Sequence, residues 1–88
     1  MTEADVLIAA REYIVDNFMY TRKNKDLADD ASFLETGIIS SLGMIEIVAW
    51  VEERFGITVA PTDITARNFD SVRNIARYVM AHPNVQAA

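Results

Sequence analysis

The chain has 88 residues, 51% of them hydrophobic, with no cysteine and a formal net charge of −5. That length allows one small domain with a modest core, and that composition excludes a disordered tail. The acidic balance argues against nucleic acid and anionic membrane surfaces, and the missing thiols exclude disulfides and thiolate metal sites. A cysteine-free chain also fits a reducing cytoplasm, where we expect this protein to reside. No apolar run exceeds five residues, at Val6–Ala10 and Ile47–Val51, so neither a membrane span nor a secretory leader is expected.

The first helix is predicted over about residues 2–18. Thr2 can cap it, with Glu3 and Asp5 in the first turn, where negative charge meets the positive end of the helix dipole. Val6, Ala10, Tyr13, Ile14 and Phe18 recur at three- and four-residue spacing and mark one apolar face. A long loop, 19–40, comes next. Its Arg22, Lys23 and Lys25 form the chain's one basic cluster, too small for nucleic-acid binding and read as a solvated loop. Loops of this length are usually pinned by their own side chains, and Leu27, Phe33, Leu34, Ile38 and Ile39 are the candidate anchors.

Gly37-Ile38-Ile39-Ser40-Ser41 then leads into the second helix, predicted over about 41–54. A serine at a helix start is a preferred cap. It also sits among unpaired N–H groups at the positive dipole end, which suits an anion such as a phosphate bonded to the serine itself. At 100° per residue, Leu42, Ile45, Val48, Ala49 and Phe55 fall on one broad arc, with Met44 and Val51 widening it. Gly43, Glu46, Trp50 and Glu53 share a second stripe. Trp50 flanked by glutamates reads either as a docking stripe for partners or as an aromatic lying against the loop.

Gly56 is placed to stop that helix. Ile57–Val59 reads as an extended connector, and Pro61 opens a short helix over 61–66. The last helix is predicted over 70–81, capped by Asp70, with Val72, Ile75, Ala76, Val79 and Met80 inward. Arg73 and Arg77 lie on its outer side with no special role, and His82 reads as an exposed terminal residue before Pro83. The final residues, 84–88, should be loose. Three longer helices and one short one, without a sheet, give an all-α bundle, residues 1–88 forming a single domain.

Catalysis finds little support. There is one histidine, no glycine-rich phosphate loop, no metal-ligand spacing, and no evident base beside Ser41. We therefore expect no enzyme, no catalytic residues and no metal site.

The segment from Gly37 to Val48, GIISSLGMIEIV, resembles the attachment site of acyl carrier proteins. In that family a Gly-hydrophobic-x-Asp-Ser-Leu signature precedes an amphipathic helix. The likeness continues through Asp30–Leu34, Glu52–Ile57 and Asn68–Val72, so it covers nearly the whole chain. It implies an acyl-carrier-like bundle, a free-standing and specialised member. It further implies 4′-phosphopantetheine on Ser41, taken from coenzyme A and holding an acyl or aminoacyl group as a thioester. Ser40 stands where the family usually has Asp, and would cap the helix in its place. The implied partners are a phosphopantetheinyl transferase, an acyl- or aminoacyl-adenylating ligase, and an acyltransferase or synthase. They would meet Leu42, Met44, Ile45, Glu46, Trp50 and Glu53 on a monomer. The alternative is an unmodified helical module that docks another protein through its acidic, Trp50-bearing helix.

Overall fold

In the computed structural model residues 2–82 are described, and among them every regular element is a helix. The loose tail expected over 84–88 lies outside the described residues. Helix α1 spans Glu3–Phe18. Thr2 and Asp5 close a reciprocal capping box: each side chain accepts a hydrogen bond from the other's backbone N–H, at 3.2 and 2.9 Å. Those bonds hold the Asp5 carboxyl below the usual carboxylate range. Val6, Ala10 and Ile14 are buried along the face that the spacing predicts.

The long loop is not bare chain. It contains α2, Phe33–Thr36, a single turn capped by the Ser32 hydroxyl and closed by Gly37 at φ +74°, a conformation that glycine adopts without Cβ strain. Phe33, Leu27 and Ile39 are buried anchors, while Leu34 is exposed and Ile38 half-buried, so only part of the expected set pins the loop. Helix α3 spans Ser41–Phe55, and the Gly56 N–H closes its last turn onto the Glu52 carbonyl.

Beyond the extended connector, the expected helix over 61–66 resolves into two pieces: a 3-10 turn at Pro61–Asp63 and a separate turn, α4, at Ala66–Phe69. Asn68 donates its side-chain N–H to the Asp63 carbonyl at 2.8 Å, and Phe69 is fully buried, which fixes that second turn. Helix α5, Val72–Met80, begins later than expected. Its cap is Ser71, whose hydroxyl accepts from the Asn74 N–H at 3.0 Å. Asp70 is occupied elsewhere, because its carboxylate accepts from the Leu34 N–H at 2.9 Å and from the Ser32 hydroxyl. Met80 is 37% exposed rather than inward, and His82 is half-buried against the Tyr78 ring.

Helix α5 packs chiefly along α1 and α4. Phe33, Phe55, Phe69, Ile14, Met19, Ile47 and Ile75 fill the centre with almost no exposure. Burying each such side chain contributes roughly 1.5–3 kcal/mol. The loop is also pinned electrostatically. Arg73 reaches Asp30 at 2.8 Å and Asp29 at 3.4 Å, while Arg11 pairs with Asp29 from α1. Arg73 therefore has a role that its outward position does not suggest. Among the described residues no helix is long and apolar enough to cross a membrane.

Candidate functional site

The site is the corner where the loop becomes α3. Its position is set from behind. Phe33, buried to 0%, donates its N–H to the Asp70 carbonyl at 2.8 Å, and the Ile39 N–H donates to the Phe33 carbonyl at 3.3 Å. Ile39 is buried beneath the corner, so the chain turns outward immediately after it.

Ser40 adopts an extended conformation, φ −85° and ψ 173°, and its hydroxyl accepts from the Gly43 N–H at 3.3 Å. Its carbonyl takes the first helical bond, from the Met44 N–H at 3.2 Å. Ser40 is thus the N-cap. Ser41 is the first helical residue and is exposed, its hydroxyl making no hydrogen bond among the described residues. With Ser40 satisfying the cap, the Ser41 hydroxyl is left over, standing at the positive end of a 15-residue helix. Such a position accepts a bulky substituent without disturbing the core and tolerates a phosphate diester's negative charge. The residues present therefore fit a phosphate-linked group on Ser41.

The structure divides the apolar arc of this helix between core and solvent. The buried face of α3 is Met44, Ile47, Val48, Val51 and Phe55. Leu42 is 78% exposed, Ile45 59%, and Ala49 is exposed too. At 100° per residue Ser41, Ile45, Ala49 and Leu42 lie within about a third of the helix circumference, an outward apolar strip that begins at the serine. Glu46 and Glu53, both exposed, border it. Met44, expected at the partner surface, is turned in at 7% exposure.

Trp50 lies about half a revolution from Ser41. It neither stands free nor rests on the loop. Its ring stacks on Tyr13 of α1 with centroids 4.4 Å apart and planes 10° apart, and meets Phe55 edge-on at 5.4 Å. The Tyr13 phenol is pushed up by burial and by the neighbouring Glu46 carboxylate. Trp50 is thus half-buried, with one edge on a surface groove of about 320 Å³ that Glu53 and Arg54 share. A larger groove of about 430 Å³ runs between α4 and α5, lined by residues such as Arg67, Asn74 and Arg77. Neither groove is lined by Ser41.

Two residues of the corner are easily overlooked in the sequence. Gly43 reads as one member of a polar stripe, and Asp70 as a helix cap. In three dimensions Gly43 packs against Ile39 and Phe18, and Asp70 clamps the loop. A glycine inside a helix, at a position that needs no positive φ, is the signal that marks the first.

The family described as "phosphopantetheine attachment site" matches residues 14–79, most of the chain, including the whole corner. The chain is 36% identical over 50 residues to a D-alanyl carrier protein from Abiotrophia defectiva, covering 57% of this chain and 63% of that protein. It is 33% identical over 55 residues to aminoacyl carrier protein 1 from Bradyrhizobium diazoefficiens, covering 62% and 60%. The chain thus spans about three fifths of the length of the curated relatives it matches.

Proposed function

This chain belongs to the phosphopantetheine-attachment family of carrier proteins, and we propose that it carries an aminoacyl group on an arm joined to the Ser41 hydroxyl. The observation that carries this reading is the exposed Ser41 at the first position of α3, its hydroxyl spared because Ser40 performs the capping. When bound, 4′-phosphopantetheine supplies the thiol on which the cargo rides as a thioester; the chain itself has no cysteine to offer. What the residues do is hold and present. The α3 N-terminus stabilises the phosphate beside Ser41. Ile39 and Phe33, buried behind the corner, keep the attachment point rigid.

An aminoacyl cargo is favoured over a long acyl chain by two things. Both relatives are named for aminoacyl or D-alanyl groups. The centre of the bundle is also filled by large side chains, three of them phenylalanines at 0% exposure, so the cargo rides outside. The partners we propose are a phosphopantetheinyl transferase, an aminoacyl-adenylating ligase and an acceptor enzyme. They would meet the exposed strip of Leu42 and Ile45, with Glu46 and Glu53 steering basic surfaces toward it.

Intact mass after incubation with coenzyme A and a phosphopantetheinyl transferase tests the attachment. The expected gain is one phosphopantetheine, abolished by Ser41→Ala and retained in Ser40→Ala. No gain in the unaltered protein, or a gain that survives Ser41→Ala, would overturn the assignment.

A further inference from the structure

We propose that Gly43 is a positioning residue for Ser41, holding the corner in register because it has no side chain. This rests on the reading of Ser41 as the attachment point. Glycine weakens a helix relative to alanine, and Gly43 does not need the backbone freedom that would excuse it, since among the described residues only Gly37 and Gly56 adopt positive φ. The reason is space. A Cβ at position 43 would lie 2.6 Å from Ile39 Cγ2 and 3.3 Å from Phe18 Cε1. The first distance is not a tolerable contact, so an added methyl must move something.

Ile39 is poorly placed to yield. Its Cγ2 is a branch on Cβ rather than the free end of a flexible chain, and β-branched side chains are stiff about χ1. Ile39 is 3% exposed, and its N–H is tied to the carbonyl of fully buried Phe33. Ile39 therefore moves with its backbone, and the next residues in the chain are Ser40 and Ser41. The same displacement strains the cap, because the Gly43 N–H is the group that the Ser40 hydroxyl accepts from. A side chain at 43 thus shifts the attachment point while leaving the outward strip at Leu42 and Ile45 in place.

The test compares Gly43→Ala with two double variants, Gly43→Ala/Ile39→Leu and Gly43→Ala/Ile39→Val, at a temperature where circular dichroism shows each folded. Leucine removes the branch at Cβ and keeps the bulk; valine keeps the branch. For Ser41 modification by the transferase, Gly43→Ala should lower kcat on the order of tenfold to a hundredfold with little change in KM, as a misplacement of about 1 Å does. The leucine double variant should recover most of that loss and the valine one should not. Independently of any modification, Gly43→Ala should shift the backbone amide resonances of Ser40 and Ser41 and speed exchange of the residue 43 amide, and Ile39→Leu should reverse both. A folded Gly43→Ala protein with unaltered resonances and rate overturns the proposal, as does equal rescue by valine. If Gly43→Ala does not fold, the leucine double variant is expected to fold, and its failure to do so overturns the proposal too. An unaltered protein that is never modified at Ser41 sinks the carrier reading alone, and the resonances then decide the role of Gly43.

Discussion

Position 40 shows how one atom's duty fixes its neighbour's. The Ser40 hydroxyl accepts from the Gly43 N–H, so the helix start is satisfied and Ser41 is left uncommitted. Yet α3 carries no acidic residue in its first turn, whereas α1 has Glu3 and Asp5 there. Ser40→Asp should keep the cap and add charge at the positive dipole end, worth about 0.3–1 kcal/mol at low salt. Ser40→Ala should cost about 0.5–2 kcal/mol. Thermal melts should therefore rank Asp above Ser above Ala, and the Asp advantage should shrink in high salt, since it is electrostatic. A melting temperature unchanged in Ser40→Ala would show that the cap bond contributes nothing. The serine pair and its place at a helix mouth are legible from sequence, because cap chemistry depends on residues within one turn. The duty of Asp70 is not. Asp70 and Ser71 are both good caps, and the choice is made by Ser32 and Leu34, far away in the chain, which occupy the Asp70 carboxylate.

At the scale of elements, α1, α3 and α5 are legible as helices, while the face that α3 buries is not. Its first three turns are apolar nearly all round, so periodicity offers more than one arc. The arc is chosen by what comes to meet it: Phe18 at Gly43, and Tyr13 at Trp50. The short turns escape a sequence reading for a related reason. Four-residue helices such as α2 and α4 have too little periodicity to show, and each is held by one buried phenylalanine and a few specific bonds. The 3-10 turn depends on such a bond. Tyr78 of α5 donates its phenol O–H to the Asp63 carboxylate at 2.8 Å, tying the turn to the last helix. Burial first, then that bond and the Asp63 charge, push the Tyr78 phenol up to about 12. An unfolded tyrosine ionises near 10, so the stabilisation is complete below pH 10 and is lost as pH rises toward 12. Tyr78→Phe should be less stable near neutral pH and should lose less of its stability between pH 10 and 12 than the unaltered protein. Parallel loss in both, measured by denaturant unfolding across that range, would show that the link between turn and helix contributes nothing.

Over the whole molecule the apolar residues divide between two tasks, and α3 performs both on opposite sides. Its inner side closes the bundle through Ile47, Val51 and Phe55, each at 0% exposure. Its outer side begins at Ser41 and keeps Leu42 and Ile45 in water, the two most exposed large aliphatic side chains among the described residues. The two sides should therefore separate cleanly under mutation. Ile47→Ala removes fully buried methyl groups and should cost roughly 2–5 kcal/mol. That is a large share of the roughly 4–13 kcal/mol available to a domain of this size. Leu42→Ala and Ile45→Ala should each change stability by no more than about 0.5 kcal/mol, because neither packs into the interior. Their cost should fall instead on encounters with partners, as a raised KM in transferase modification of Ser41, with kcat nearly unchanged. The discriminating measurement is a pair of numbers for each variant, the unfolding free energy and the modification kinetics. A Leu42→Ala protein that melts early yet is modified normally would place Leu42 in the core and remove the outward strip as a docking surface. A helix that supports the fold on one side and presents the carrier on the other gives the reverse pattern, normal melting with weakened recognition.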